Sequence, residues 1–158
     1  FHLKAHPTYV SDATLADMIK TIETLSNDVH QGTKSLGNRL GSALGKGQLR
    51  LKDNFYWNSP LDGWKMPKKL REDLLGSELV ISKGDAHYRR LLGDRYWSFD
   101  APFADILAYY PAPILALRTS KSELMVGLQG NVVRDMYVND PDWLINGRWG
   151  VVQFLNQN

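Results

Sequence analysis

Cysteine is absent from the 158 residues. That excludes disulfides, thiolate metal sites and cysteine nucleophiles, but by itself it chooses no compartment. No apolar run approaches the ~20 residues that span a bilayer, and none of the opening residues reads as a signal peptide. A cytoplasmic or organellar-matrix protein is therefore the default expectation. Charge of one sign is scarce: 19 Lys and Arg stand against 17 Asp and Glu, a net charge of +2. That is too little to argue for a nucleic-acid or membrane surface, though local basic clusters remain able to bind a phosphate. There is no glycine-rich P-loop and no dinucleotide-binding fingerprint. Repeats and low-complexity tracts are also missing. An initiating Met is lacking too, and the opening Phe1, His2, Leu3, Lys4 sits in mid-strand, which suggests a fragment or a processed piece.

What is present suffices for one compact domain, because 43% hydrophobic and 23% charged residues can bury a real core. Phe1 to Lys4 reads as the end of a strand with an exit loop at Pro7. Ser11 or Asp12 then caps a helix over 13–25, in which Leu15, Met18, Ile19, Ile22 and Leu25 recur at helical spacing. The glycine-dotted stretch 27–47 keeps Leu36, Leu40 and Leu44 at a period of four and is expected to be a short, weak helix in a variable insertion. Leu49 and Leu51 alternate with Arg50 and Lys52 as a short strand running out at Asp53 and Asn54. The aromatic segment 55–67 is an ordered loop, and Pro67 opens a helix through Leu75 with Leu70, Leu74 and Leu75 inward.

Leu79, Val80 and Ile81 are too few for a helix and rich in β-branching, so a buried strand is expected there. Gly84 permits a tight turn, after which Tyr88, Leu91 and Leu92 share one helical face. Residues 102–110 give another short helix, and Ile114 to Leu117 a second buried strand. That strand ends in Arg118, Thr119, Ser120 and Lys121, with a helix expected to restart at Glu123. Residues 129–143 are irregular or weakly helical, and 150–155 close as a strand. Strands alternating with helices predict an α/β fold with a three-layer, mainly parallel, Rossmann-like sheet flanked by helices. In such a sheet ligands sit outside the carboxyl ends of the strands. A parallel sheet would bring four such ends to one edge: Asp12, Asp53, Lys83 with Asp85, and Arg118 with Lys121.

Carboxylates beside Lys and Arg match the needs of phosphate chemistry. A hard divalent cation takes oxygen ligands and polarises a phosphoryl oxygen, while Arg and Lys hold the remaining phosphate oxygens. The bland alternative has Asp12 and Asp85 as plain helix caps, with Arg118 and Lys121 solvated or in ordinary ion pairs. His2 and His6 are four apart but lie in a strand and a loop, a poor basis for a metal pair. Ser120 beside Lys121 has the composition of a serine-lysine nucleophile, yet nothing supplies an oxyanion hole.

Four blocks, in order, carry a resemblance over nearly the whole chain: HLKAHPTYVSDA ending at Ala13, SKGDAHYRRLLGDRYW from Ser82 to Trp97, PAPILALRTSKSELMVGL from Pro111 to Leu128, and the closing GRWGVVQF. Together they resemble the metal-dependent damage-control phosphatases. The branch in question is eukaryotic, is marked by an Arg-Thr-x-Lys motif, and includes the so-called acidic-residue methyltransferase proteins.

The resemblance implies a phosphatase acting on small phosphorylated metabolites, sugar phosphates such as fructose 1-phosphate in particular, with a divalent metal such as Mn, Co, Ni or Mg. It also implies that the chain is the C-terminal part of a larger protein. A neighbouring Asp and Asn, from a segment preceding the HLKAHP block, would supply metal ligands from the remainder of the protein upstream of Phe1. Matched residue by residue, the further metal ligand is Asp12. Asp85, Tyr88 and Arg89 become substrate contacts, with His87 standing where relatives carry Asn. Arg118, Thr119 and Lys121 match the Arg-Thr-x-Lys motif, with Lys121 as the phosphate contact, and Asp53 is a further substrate-site acid. Two other readings stay open: protein carboxyl methyl transfer, which lacks a glycine-rich adenosylmethionine loop, and a non-catalytic fragment that binds phosphorylated ligands.

Overall fold

Thr14 and Asp17 close a capping box at the start of the first helix in the computed structural model, which describes residues 1–9 and 12–156. The Thr14 hydroxyl accepts from the Asp17 amide, while the Asp17 carboxylate accepts from the Thr14 amide at 2.9 Å. Two orphan amides of the first turn are thereby satisfied. Asp12 is thus not the cap, and Ser11, the other expected cap, lies outside the described residues. Backbone contacts divide the chain into two units, Phe1–Ser59 and Pro60–Asn158.

In the first unit β1 (His2–Lys4) pairs in parallel with β2 (Lys52–Asn54), with Leu3 opposite Asp53. Between them run α1 (Leu15–Ser26) and α2 (Gln31–Gly45), which pack on each other. The expected weak helix of 27–47 is therefore a 15-residue element. Its glycines each cost helix propensity, so packing must supply what propensity does not. Gly37 shows how close that packing is: a Cβ there would come within 2.3 Å of the Ser26 nitrogen. Of the apolar stripe on α1, only Ile22 is fully buried. The strand expected at 49–52 is displaced, so that Asp53 lies inside β2 rather than beyond its end. A 3₁₀ turn, Phe55–Asn58, follows with Tyr56 buried.

The second unit holds α3 (Lys68–Leu75), β3 (Val80–Lys83), α4 (Asp85–Leu91), α5 (Phe103–Ile106), β4 (Ile114–Thr119), α6 (Gly130–Asn139) and β5 (Gly150–Leu155). Its sheet has the order β3, β4, β5. The first pair is parallel, with Ile81 opposite Leu115, and the second antiparallel, with Ala116 opposite Gln153. The fold is α/β with one small parallel and one mixed sheet flanked by helices. The four expected strand ends belong to two sheets rather than one, because β1 and β2 pair only with each other among the described residues.

The core of the second unit forms where Tyr88, Leu91 and Leu92 of α4 and its C-terminal residue meet Phe103, Leu107, Ile114, Ala116 and Leu155. Three expectations change here. Ile81 is 61% exposed, since β3 is an end strand of its sheet and turns Val80 rather than Ile81 toward the core. Leu75 is exposed, while Leu70 and Leu74 are buried as expected. No helix restarts at Glu123: residues 124–126 are buried without regular secondary structure, the Leu124 and Val126 carbonyls being taken by the Arg118 and Gln153 side chains.

Candidate functional site

Gly84 makes the strand-turn-helix of the second unit possible. Its φ of +121° and ψ of 158° lie in a region essentially closed to residues with a Cβ. With that turn, β3 ends at Lys83 and α4 begins at Asp85. The Gly84 amide donates to the Leu117 carbonyl at 2.9 Å, tying the turn to the neighbouring parallel strand. The carboxyl ends of β3 and β4 consequently share one edge, as expected for this pair.

Arg118 decides what happens at that edge. Along β4 the inward positions are Ile114, Ala116 and then Arg118, which leaves a guanidinium on the buried face of a strand. A buried charge needs partners, and Arg118 has them. Its Nε donates to Asp85 Oδ1 at 2.8 Å. Its Nη2 donates to the Ser122 carbonyl at 2.9 Å and to Ser122 Oγ at 2.7 Å. Its Nη1 donates to the Leu124 carbonyl. The guanidinium carbon lies 4.7 Å from the centre of the Tyr88 ring, a cation–π distance. Ser122 Oγ also donates to Asp85 Oδ1 at 3.2 Å, so that one oxygen takes both bonds.

Tyr88 continues the network inward. Its hydroxyl donates to Gln153 Oε1 at 2.7 Å, and Gln153 Nε2 donates to the Val126 carbonyl at 2.7 Å. Burial pushes the Tyr88 hydroxyl up to about 12, against the opposing pull of Arg118. Asp85, Arg118, Ser122, Tyr88 and Gln153 therefore form one connected polar cluster under the sheet edge.

The other expected residues of this unit stand around it. Thr119 and Lys121 are exposed, and Lys121 has no ion-pair partner among the described residues. Ser120, between them, is fully buried, which removes its hydroxyl from the surface that Lys121 presents and disposes of a serine-lysine nucleophile. His87 is half-buried. Arg89 forms a two-pronged pair with Asp94, Nε to Oδ1 and Nη2 to Oδ2, each 2.7 Å. Those bonds hold the Asp94 carboxyl below its ordinary value. A shallow cleft lined by Tyr96, Trp97, Phe99 and Tyr137, among others, includes none of the expected site residues.

In the first unit Asp12 is held as a loop acceptor. Its Oδ2 takes the Thr8 amide at 3.0 Å and the Tyr9 amide at 2.9 Å, and Lys4 Nζ lies 3.7 Å away. Burial alone would raise this carboxyl, but the Tyr9 and Thr8 amides and Lys4 together bring it below the usual value. Asn58 fixes the same loop from its other side. Its Oδ1 accepts from the Ala5 and His6 amides, and its Nδ2 donates to the His6 carbonyl and to Thr8 Oγ1. Asp53 is exposed on β2.

No group of three or more His, Asp or Glu side chains able to hold a metal exists among the described residues. Asp12 offers one carboxylate, already engaged by two amides, so the described residues do not fit a complete divalent-cation site by themselves.

Sequence reasoning passed over Ser122, Gln153, Lys4 and Asn58. Gln153 left a signal: it is the polar member of the inward-facing series Val151, Gln153, Leu155. The other three gain their importance from contacts that leave no local pattern.

The sequence profile of the damage-control phosphatase ARMT1-like domain matches residues 1–136. Among curated relatives, the damage-control phosphatase ARMT1 of Xenopus laevis is 36% identical over 157 residues, which are 97% of this chain and 36% of the relative. The mouse protein of the same name is 35% identical and the human one 32%, each over 98% of this chain and 36% of the relative. The chain thus spans about a third of the length of the curated relatives it matches. A profile match over most of the chain, joined to these identities, establishes that the chain belongs to the damage-control phosphatase ARMT1-like family.

Proposed function

We propose that the chain is part of a metal-dependent phosphatase hydrolysing small phosphorylated metabolites, sugar phosphates such as fructose 1-phosphate in particular. The observation that carries this reading is the exposed Lys121 at the carboxyl edge of β4, next to the Asp85–Arg118–Ser122 cluster. An ammonium with no carboxylate partner among the described residues is available to offset the charge of a phosphate. Thr119, His87 and Arg89 extend the polar surface offered to the rest of the substrate, with Asp85, Tyr88 and Arg118 behind it. Asp53 of the first unit is a further acid for the sugar.

Asp12 is proposed as one metal ligand, for Mn, Co, Ni or Mg, with the remaining ligands supplied by the protein upstream of Phe1. Its depressed carboxyl keeps it anionic at neutral pH, as a hard-cation ligand requires. The metal, when bound, would polarise the phosphoryl oxygen. We also place both sheets in a three-layer, Rossmann-like domain that forms the C-terminal part of the protein, in a cytoplasmic setting. The family's phosphatase name supports the chemistry.

The test is phosphate release from fructose 1-phosphate and related sugar phosphates by the full-length protein with each of the four metals. Release that requires metal and is lost in Asp12→Ala and Lys121→Ala is the expected result. Absence of release with every metal would sink the reading. Retained phosphate binding without turnover would then favour a ligand-binding role.

A further inference from the structure

Arg118 and Lys121 are the two cations of the Arg-Thr-x-Lys motif, and Arg118 is the one that the fold hides. Its side chain is 0% exposed. Each of its three nitrogens points at an acceptor inside the second unit: Asp85 Oδ1, the Leu124 carbonyl, and both the carbonyl and hydroxyl of Ser122. The flat face of the guanidinium lies over Tyr88. Swinging this group toward a substrate would break four bonds, take the charged partner from Asp85 and leave the Leu124 carbonyl without its donor in a buried place, a penalty no single phosphate contact offsets.

Lys121 is flanked by hydrogen bonds on both sides. On its N-terminal side, the Ser120 amide donates to the Trp149 carbonyl at 2.8 Å and the Ser120 carbonyl accepts from the Gly147 amide at 2.9 Å. On its C-terminal side Ser122 is gripped by Arg118 through both of its oxygens. Residues 120–129 form no helix or strand, so regular backbone bonding does not fix the Lys121 backbone. The fork of Arg118 fixes its C-terminal side through Ser122, and it binds Asp85 at the start of α4 in the same gesture.

We infer that Arg118 is a positioning residue, which acts by fixing the Lys121 backbone through Ser122 and the Asp85 carboxylate through Nε, and that it does not itself touch the phosphate. This deepens the proposed function, since it rests on Lys121 as the phosphate contact. A lysine at position 118 keeps the charge but has neither the planar fork nor enough fixed donors to hold Asp85, Ser122 and Leu124 together.

The experiment measures the dissociation constant for inorganic phosphate, by calorimetry on the full-length protein, together with melting temperature and kcat and KM for fructose 1-phosphate. The variants are Lys121→Ala, Ser122→Ala, the double variant of these two, and Arg118→Lys. Lys121→Ala should weaken phosphate binding by about fivefold or more, for the loss of a charge-assisted contact, and Ser122→Ala and Arg118→Lys should each weaken it measurably by loosening Lys121. The double variant should bind no worse than Lys121→Ala, to within about twofold, because Ser122 acts only through Lys121. Ser122→Ala should melt close to the wild type while losing affinity.

Additive losses in the double variant would overturn the inference, and so would wild-type affinity in Arg118→Lys. Should Arg118→Lys fail to fold, the Ser122 and Lys121 cycle decides alone. Wild-type phosphate affinity in Lys121→Ala is a different failure: it removes the phosphate role of Lys121 itself.

Discussion

The Tyr88 hydroxyl donates to Gln153 Oε1 at 2.7 Å, bridging α4 to the antiparallel strand β5 inside the second unit. Desolvation holds this phenol neutral, up to about 12, above the ordinary 10. Because the folded value is the higher one, the contribution to stability is complete below pH ~10 and is lost as the pH rises through about 12. In a ring-carbon NMR titration Tyr88 should ionise at about pH 12, and Tyr88→Phe should delete that late component. Removing the hydroxyl also strands Gln153, for a loss of about 1–2 kcal/mol in denaturant unfolding. A late component that survives in Tyr88→Phe contradicts the assignment.

Gly84 should resist substitution for a backbone reason alone. No atom lies within 4 Å of a Cβ built there, so space is not the issue. Its φ of +121° is the obstacle, and Gly84→Ala should cost about 1–3 kcal/mol by urea denaturation. Gly76, at φ −87° with equal room, is the control. Gly76→Ala should be neutral or slightly stabilising, by about 0.5 kcal/mol. Equal effects at the two positions would refute the conformational argument.

Gly37 and Gly41 make the converse pair on α2. A Cβ at Gly37 meets the α1 backbone at 2.3 Å, whereas one at Gly41 makes ordinary contact with Ile22 at 3.7 Å. Gly37→Ala should therefore lower the melting temperature, through an overpacking cost of about 1–3 kcal/mol. Gly41→Ala should raise it, through a gain in helix propensity of up to about 1 kcal/mol.

The Arg89 pair holds Asp94 below the ordinary carboxylate value. A depressed acid stabilises the fold above its unfolded value, and that contribution is lost as pH falls through the folded one. Carboxyl-carbon NMR should show Asp94 titrating below the usual range and returning toward it in Arg89→Ala. Both side chains are substantially exposed, 43% and 58%, so the stability change should stay under about 1 kcal/mol.

Asn58 anchors the loop that leads to Asp12 through four hydrogen bonds. Asn58→Ala should speed amide exchange at Ala5 and His6 and destabilise the protein by about 1–2 kcal/mol. Unchanged exchange at both amides would show that the loop is held by other means.

Much of this architecture was legible in the residues themselves. Spacing at i, i+3 and i+4 placed Tyr88, Leu91 and Leu92 on the buried face of the helix that begins at Asp85, and the Lys-Gly-Asp turn was recognisable because glycine permits such a φ. Four ordered blocks pointed to the family that the profile match then showed. Other features were misread where two local signals competed. Asp12 and Thr14 are both good caps, and the capping box with Asp17 decided for Thr14, which left Asp12 to the Thr8 and Tyr9 amides. The glycines of α2 argued for weakness, because propensity cannot register a neighbouring helix that requires the missing Cβ.

The sequence by itself determined which residues carry charge at the strand ends: Asp85 after Gly84, and Arg118 and Lys121 around Ser120. It determined nothing about which of these charges would face water. That was decided by the alternation of β4, whose register puts Arg118 on the core side and leaves Thr119 exposed, and by an irregular segment after the strand that returns Ser122 and Leu124 to the guanidinium. Two cations three residues apart look equivalent in the motif. Only tertiary contacts separate them, because a guanidinium is buried at tolerable cost where a fixed set of acceptors meets every one of its nitrogens, while an ammonium without such acceptors stays in solvent.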